Sequence, residues 1–274
     1  MFFLIQLSEI NHVITLKMIR AIYRNIGLLP YLLLIILFTG CIKVIAGEKE
    51  SIDISKLHNQ RFGASAHDLL SDERYTSLRI EVQFVPGFEP DKQALNNLQV
   101  FLEKYLKKPQ GIFIETKEIA PLLDTVLMRE DLVAFERTSR TVYTKKKELG
   151  IYLLYTNGTY VNPKILGLAY QNTSAVIIGQ LIQSRSGKIG QPDRTKLETT
   201  VLLHEMGHLL GLINKGSAMI SDHQDDNHES HCSNKDCLMY YSIGTEDRFG
   251  YLVKGSIPVL DEHCEADLKA NGGK

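Results

Sequence analysis

The chain has no excess of charge of either sign: 31 Lys and Arg stand against 32 Asp and Glu in 274 residues, a formal net charge of -1. That balance leaves no electrostatic footprint for a nucleic-acid partner, which would call for a basic patch or stripe. Lys145-Lys146-Lys147 is the only basic run in the soluble part, and it leads into an apolar stretch, so it reads as a solvated loop. Cysteine is scarce at 4 residues, too few for a scaffold stapled throughout by disulfides, and tryptophan is absent. Long apolar runs are also missing, apart from one near the N-terminus. With 44% apolar and 23% charged residues, the rest has the balance of an ordinary globular domain.

The one apolar run, Ile26 to Thr39, follows Lys17, Arg20 and Arg24 and ends at Gly40-Cys41, the order of parts in an export signal. Leu37-Phe38-Thr39-Gly40-Cys41 resembles the lipobox of bacterial lipoproteins, in which the signal is removed and the new N-terminal cysteine carries lipid. Phe38 stands where leucine is commoner. An uncleaved anchor over about residues 26–46 is the alternative, but Pro30 and Lys43 interrupt it, and its uncharged run is short of the ~20 residues a span needs. Met18 could itself open a well-formed signal. The expectation is a signal peptide over 1–40, lipidation at Cys41, a polar tether over 41–75 and one domain over 76–274. Such a protein is exported and lipid-anchored in the membrane of the cell envelope, on its periplasmic or surface face.

Periodicity then places the elements. Leu78 to Val85 alternates strictly, which predicts a strand with one buried face, ended by Pro86-Gly87. Leu95, Leu98, Phe101, Leu102, Tyr105 and Leu106 recur at helical spacing within Asp91 to Lys107. Gly111 to Glu115 reads as a short strand, Arg129 to Arg140 as a helix, and Leu149 to Thr156 as an apolar strand stopped by Asn157-Gly158. Ile165 to Tyr170 and Ala175 to Ile178 form a hairpin or edge pair around Gln171-Asn172. Gln191-Pro192-Asp193 opens a helix that runs to Gly211.

That last helix carries His204-Glu205-Met206-Gly207-His208. Residues four apart share a helix face, so both imidazoles can close on one cation while Glu205 sits beside an open coordination position. The bland alternative is two satisfied core histidines. It needs two separate hydrogen-bond solutions on one apolar face and leaves Glu205 unexplained. A catalytic zinc takes three protein ligands and leaves a place for water, so a third must follow Gly211. His223, His228, His231 and His263 qualify. Around two of them, Asp222 to Glu229 is dense in oxygen and imidazole groups and reads as a polar surface loop, a cation-binding loop or a substrate rim.

His231-Cys232, four residues, then Cys237-Leu238-Met239 is similar to the archaemetzincins of the metzincin clan. There the third zinc histidine is followed directly by Cys, then four residues, Cys, one residue and Met. The resemblance covers roughly residues 60–270 and implies that His231 completes the site with His204 and His208. It also implies that Met239 supplies the Met-turn, and that an insert separates Gly211 from the third ligand. In metzincins that ligand ordinarily stands where this chain has Asn214. His223 remains a rival for it. Tyr241 sits where some metzincins carry a tyrosine that approaches the metal or the oxyanion. In archaemetzincins the two cysteines join a later Cys-x-x-Cys around a second zinc; here only Cys264 follows, preceded by His263. Either Cys232, Cys237, Cys264 and His263 form that site, or Cys232 and Cys237 form a disulfide and Cys264 stays free.

The fold so implied is α/β (α+β), a metzincin-like single domain. It has a twisted mixed sheet with an antiparallel edge strand, an active-site helix, and a smaller irregular C-terminal part. The activity implied is that of a zinc-dependent endopeptidase, a monomer. Zn2+ would activate water, Glu205 would act as general base, and a peptide or protein substrate would lie along the edge strand. The chain also resembles lipid-anchored relatives in Bacteroidetes-type bacteria. A zinc-containing surface binding lipoprotein without turnover, and a metal-dependent hydrolase of a non-peptide amide or ester, are the alternatives.

Overall fold

Residues 54–122, 126–241 and 252–274 of the computed structural model are described below. The expected signal peptide and Cys41 lie outside them. The chain from Asp53 to Lys274 forms one contact unit. Two short helices, α1 (Ile54–Leu57) and α2 (Ala66–Leu70), lead into β1 (Ser77–Phe84). There follow α3 (Lys92–Tyr105), β2 (Ile112–Glu118), β3 (Val126–Leu127), α4 (Arg129–Ser139), β4 (Glu148–Thr156) and β5 (Thr159–Tyr160). The hairpin β6 (Gly167–Gln171) and β7 (Ser174–Ile178) precedes α5 (Gly179–Ser184), α6 (Arg194–Leu209) and α7 (Glu262–Ala270).

The main sheet has the order β2-β1-β4-β7-β6. β2, β1, β4 and β7 run parallel, with Leu78 beside both Ile112 and Leu149 and with Leu153 beside Ala175. β6 closes the sheet antiparallel to β7, so the expected mixed α/β sheet with an antiparallel edge strand is the observed one. Parallel neighbours need crossovers: α3 lies between β1 and β2 and α4 between β2 and β4, while the chain passes from β4 to β7 through β5 and β6. β4 is buried along eight of its nine residues, as a near-continuous apolar run in a sheet covered on both faces should be. β3 and β5 pair separately as a two-stranded parallel ladder.

One face of β1 behaves as its alternation predicts: Leu78, Ile80 and Val82 are fully buried in the main core with Leu98 and Leu102 of α3. The other face is not in water. Glu81 accepts hydrogen bonds from the Thr141 and Val142 N–H groups, each at 2.8 Å, and from the Thr141 hydroxyl at 2.7 Å. Gln83 donates to the Ser139 carbonyl and accepts from the Tyr152 hydroxyl. Polar alternation here encodes a hydrogen-bonded interface with α4 and the segment after it, because a buried polar group must be satisfied.

The tether expected over 41–75 does not extend through its described part. Ala66, Leu69, Leu70 and Tyr75 are buried, and Lys108 caps this segment by donating to the carbonyls of Asp68 and Tyr75, both at 2.9 Å, and of Ser71. Five-residue α2 is too short to show helical periodicity, which is why its sequence reads as merely polar. Among the described residues no helix is long and apolar enough to cross a membrane. α6 is buried from Leu197 through Leu209 on every side, and Asp193 caps it by accepting the Lys196 N–H at 3.2 Å.

His58 ties the same N-terminal segment to the turn between β6 and β7 and to the stretch before β4. Its Nε2 accepts the Thr144 N–H at 3.1 Å, so Nδ1 carries the hydrogen and donates to the Thr173 hydroxyl at 2.7 Å. Burial, and then the Arg140 guanidinium, press its pKa down to about 3. The unfolded chain takes up this proton near pH 6.5, while the folded chain refuses it, so His58 costs stability progressively as pH falls from about 6.5 toward 3. Urea unfolding of wild type and His58→Asn from pH 7 to 4 is the check. The wild type should lose about 1 kcal/mol more per pH unit than the variant below pH 6; parallel curves would contradict this assignment.

Candidate metal centre

α6 brings His204 and His208 to one face, and the chain returns to them with His231. Ring centroids lie 4.7 Å apart for His204 and His208, 5.3 Å for His204 and His231, and 5.1 Å for His208 and His231. One nitrogen from each lies within 4.8 Å of the others. Carbonyls fix two of the rings. Leu238 O accepts from His204 Nδ1 at 2.8 Å and Glu229 O accepts from His231 Nδ1 at 2.9 Å, so in both rings Nε2 is left with a lone pair. His208 Nε2 is 3.1 Å from His204 Nε2, and its buried Nδ1 has no hydrogen-bond partner among the described residues. Burial chiefly, then the neighbouring histidines and Lys215, push the His208 pKa far below its ordinary value. Burial lowers that of His231 as well. Imidazole lone pairs are the ligand form; the His204 and His208 nitrogens at 3.1 Å stand near the ~3.4 Å edge of a tetrahedral zinc site with Zn–N near 2.1 Å, and a His231 nitrogen lies within 4.8 Å of both. These residues fit a zinc ion.

Glu205 is 5% exposed and its Oε2 accepts the Ala169 N–H of β6 at 2.7 Å. Burial, only partly opposed by that bond, pushes its pKa up to about 8. A cation at the three imidazoles would pull it back down. The approach of α6 to the edge strand depends on Gly167. A Cβ there would come 2.7 Å from Val201 Cγ1 and 2.9 Å from Glu205 Cγ. Gly207, inside the motif, is needed for the same reason on the other side, where a Cβ would collide with the Met239 sulfur. Met239 is fully buried beneath the helix, where the Met-turn is expected.

The path from Gly211 to His231 is now explicit. Gly211 leaves α6 at φ +74°, and Ile213 and Asn214 continue in the left-handed region at φ +55° and +57°. Asn214 binds no site group: its side-chain oxygen accepts the Met219 N–H at 2.9 Å and shapes the turn. The insert then runs out to His223 and doubles back. Gln224 bridges Cys232, and Asp225 N–H donates to His231 O at 2.8 Å. The returning strand thereby aims His231 into a cleft of about 570 Å³, lined also by His204, Glu205, His208, His228 and Tyr241.

His223, the rival third ligand, belongs to a different cluster. Its Nε2 donates to the Asp267 carboxylate at 2.8 Å, which turns the lone pair of Nδ1 toward Cys232 Sγ at 3.4 Å and Cys264 Sγ at 3.9 Å. Cys237 Sγ is 3.7 Å from Cys264 Sγ, and Asp261 accepts from the Cys232 thiol at 3.3 Å. All three cysteines are fully buried and none is in a disulfide, so the Cys232 to Cys237 bridge considered above is not formed. Hydrogen bonds from the Cys232 and Cys264 thiols bring Cys237 down to about 4, while Cys232 is raised to about 12. The expected fourth member, His263, is exposed, bonded to Ser221 at 2.9 Å, and only stacks on His223 with centroids 5.5 Å apart. Sequence spacing favoured His263 because it adjoins Cys264. On α7, however, adjacent residues point about 100° apart, so the two cannot face one centre.

No protein-family profile matches this chain, and no curated protein does. Among solved structures, similar folds include archaemetzincin from Methanopyrus kandleri, with a TM-score of 0.48 and 16% identity over 72% of this chain and 96% of that one. Metalloproteinase-II from Bacteroides fragilis is similar with a TM-score of 0.43 and 13% identity, over 78% of this chain and 57% of that one.

Proposed function

We propose that this protein is a zinc-dependent endopeptidase with His204, His208 and His231 as ligands and Glu205 as general base. The convergence of three imidazoles beside one buried carboxylate carries that reading. Zinc bound there would act as a Lewis acid and lower the pKa of water toward ~7. Glu205 is anchored through Oε2, and its Oε1 has no hydrogen bond among the described residues, so that oxygen can take the proton and return it to the leaving amine. β6 forms the edge of the sheet and lines the same cleft. A substrate in extended form can pair along that edge, which is how a strand edge holds a peptide. The Tyr241 O–H would donate a hydrogen bond to the developing oxyanion.

Cys232, Cys237, Cys264 and His223 hold a second, structural zinc in this reading. Sulfurs 3.7 Å apart match the ~3.8 Å edge of a tetrahedral site with Zn–S near 2.3 Å, and Asp267 orients the histidine as outer partners of zinc ligands do. The N-terminal signal and lipid at Cys41 place the domain at the cell envelope. The order of basic, apolar and small residues ending at that cysteine supports this, and loss of lipid mass in Cys41→Ala would test it.

Purified protein lacking residues 1–40 should cleave a protein or peptide panel and lose activity to a chelator. Glu205→Ala should keep its metal and fall by about 10²- to 10⁴-fold in kcat/KM. Zinc content with no cleavage, identical in wild type and Glu205→Ala, would favour a binding protein, and cleavage confined to non-peptide amides or esters would favour another hydrolase. Metal analysis separates the two centres. Two zinc ions per chain are expected in wild type, with one lost in His231→Ala along with activity. Cys264→Ala or His223→Ala should lose the other and expose thiols to a disulfide reagent. Normal zinc in His231→Ala would remove it from the ligand set.

A further inference from the structure

One contact on the insert side of the cleft has no part in the chemistry above. His228 lies flat on Tyr241, with ring centroids 3.4 Å apart and planes 5° from parallel. Free aromatic rings prefer offset or edge-to-face arrangements, so a centred stack at contact distance has to be held. Asp225 holds it: its Oδ2 accepts from His228 Nδ1 at 2.9 Å. Asp225 is fixed in turn. Its Oδ1 accepts the Asn227 N–H at 2.8 Å, its carbonyl accepts the His228 N–H at 3.3 Å, and its own N–H donates to His231 O. The His231 N–H closes the loop on His228 O at 3.2 Å. The ring on Tyr241 and the third imidazole therefore hang from one closed set of backbone bonds. Both stacked rings line the cleft with His204 and Glu205.

We propose that His228 is a positioning residue: backed by Asp225, its ring clamps Tyr241 in the cleft and fixes where the phenol hydroxyl meets the substrate. The insert thus delivers both a metal ligand and the support for a substrate-facing group. Held against the His228 ring, the Tyr241 side chain keeps one rotamer, so the entropy of ordering it does not fall in the reaction step. The kinetic part of this inference rests on the peptidase reading; the clamp itself does not.

Because the chain has no tryptophan, Tyr241→Trp installs a single fluorescent reporter that sees the stack whether or not anything is cleaved. Adding His228→Ala to that background should raise the emission and move it to longer wavelength, since a quenching, water-excluding ring is removed. Adding His228→Phe should not produce the red shift. Unchanged emission with His228→Ala overturns the clamp. In the otherwise native protein, His228→Ala should keep its zinc and lower kcat about 10- to 100-fold with little change in KM. His228→Phe, which preserves a flat ring, should recover most of the loss. Combined with Tyr241→Phe, His228→Ala should add little further loss, because both act through one hydroxyl. Additive losses, or no recovery with Phe, overturn the positioning role. Should wild type cleave nothing, the peptidase reading fails, and the emission result alone decides the clamp.

Discussion

Three groups that prefer water, two imidazoles and a carboxylate, sit on a helix that is buried on every side, and the rest of the molecule is arranged around that cost. A single buried unpaired polar group costs about 1–3 kcal/mol, so α6 could not be central without partners for all three. Protein groups serve two of them, the Leu238 carbonyl for His204 and the Ala169 N–H for Glu205; His208, with no partner at Nδ1 among the described residues, turns toward His204 and the returning His231. The nitrogens still face one another at 3.1 Å for His204 and His208. Lone pairs so placed repel unless a proton or a metal lies between them, and a metal satisfies all three at once.

The same constraint explains the glycines that no helix or strand propensity would favour. Gly207 in mid-helix carries a propensity penalty of about 1 kcal/mol relative to alanine. It admits the Met239 sulfur to the underside of the helix, while Gly167 at the start of β6 admits Glu205 to the edge strand. Both make the backbone approach close enough for side chains of neighbouring elements to meet the motif. Geometry, not local preference, set these two positions.

Much of this was legible in the chain. Alternation and helical spacing located β1 and α3 within a few residues, because each has a buried stripe with its own period, while β4 and α6, buried all round, were marked by apolar runs and by their flanking turn and cap residues. Two imidazoles four apart with a glutamate between them pointed to the candidate metal face. His231 was reachable only through its neighbours, Cys232 and Cys237, since nothing in helical spacing crosses an insert. The failures share a cause. Glu81, Gln83 and His58 look like surface residues in sequence, because the partners that satisfy them lie 56 to 115 positions away. His223 was weighed for the wrong centre, as its tautomer is set by Asp267, 44 residues later. Long-range hydrogen bonds have no period to read.

The two clusters are not independent pieces of the fold. His231 is followed at once by Cys232, and Cys237, Leu238 and Met239 are consecutive. One short stretch therefore offers a thiol to the second cluster, a carbonyl to His204, and a sulfur against Gly207. The Cys232 N–H donates to Met239 O at 2.8 Å, which ties the two stretches to each other. An ion among the thiols would hold fixed the backbone that aims two of the three imidazoles. Small errors matter there, because ligand nitrogens must converge to within a few tenths of an ångström of ideal distances. An insert as polar as Asp222 to Glu229 has little apolar surface with which to order itself. His223 at its outward turn and His231 at its return give it two anchor points in place of a core, and the stack of His228 on Tyr241 lies between them.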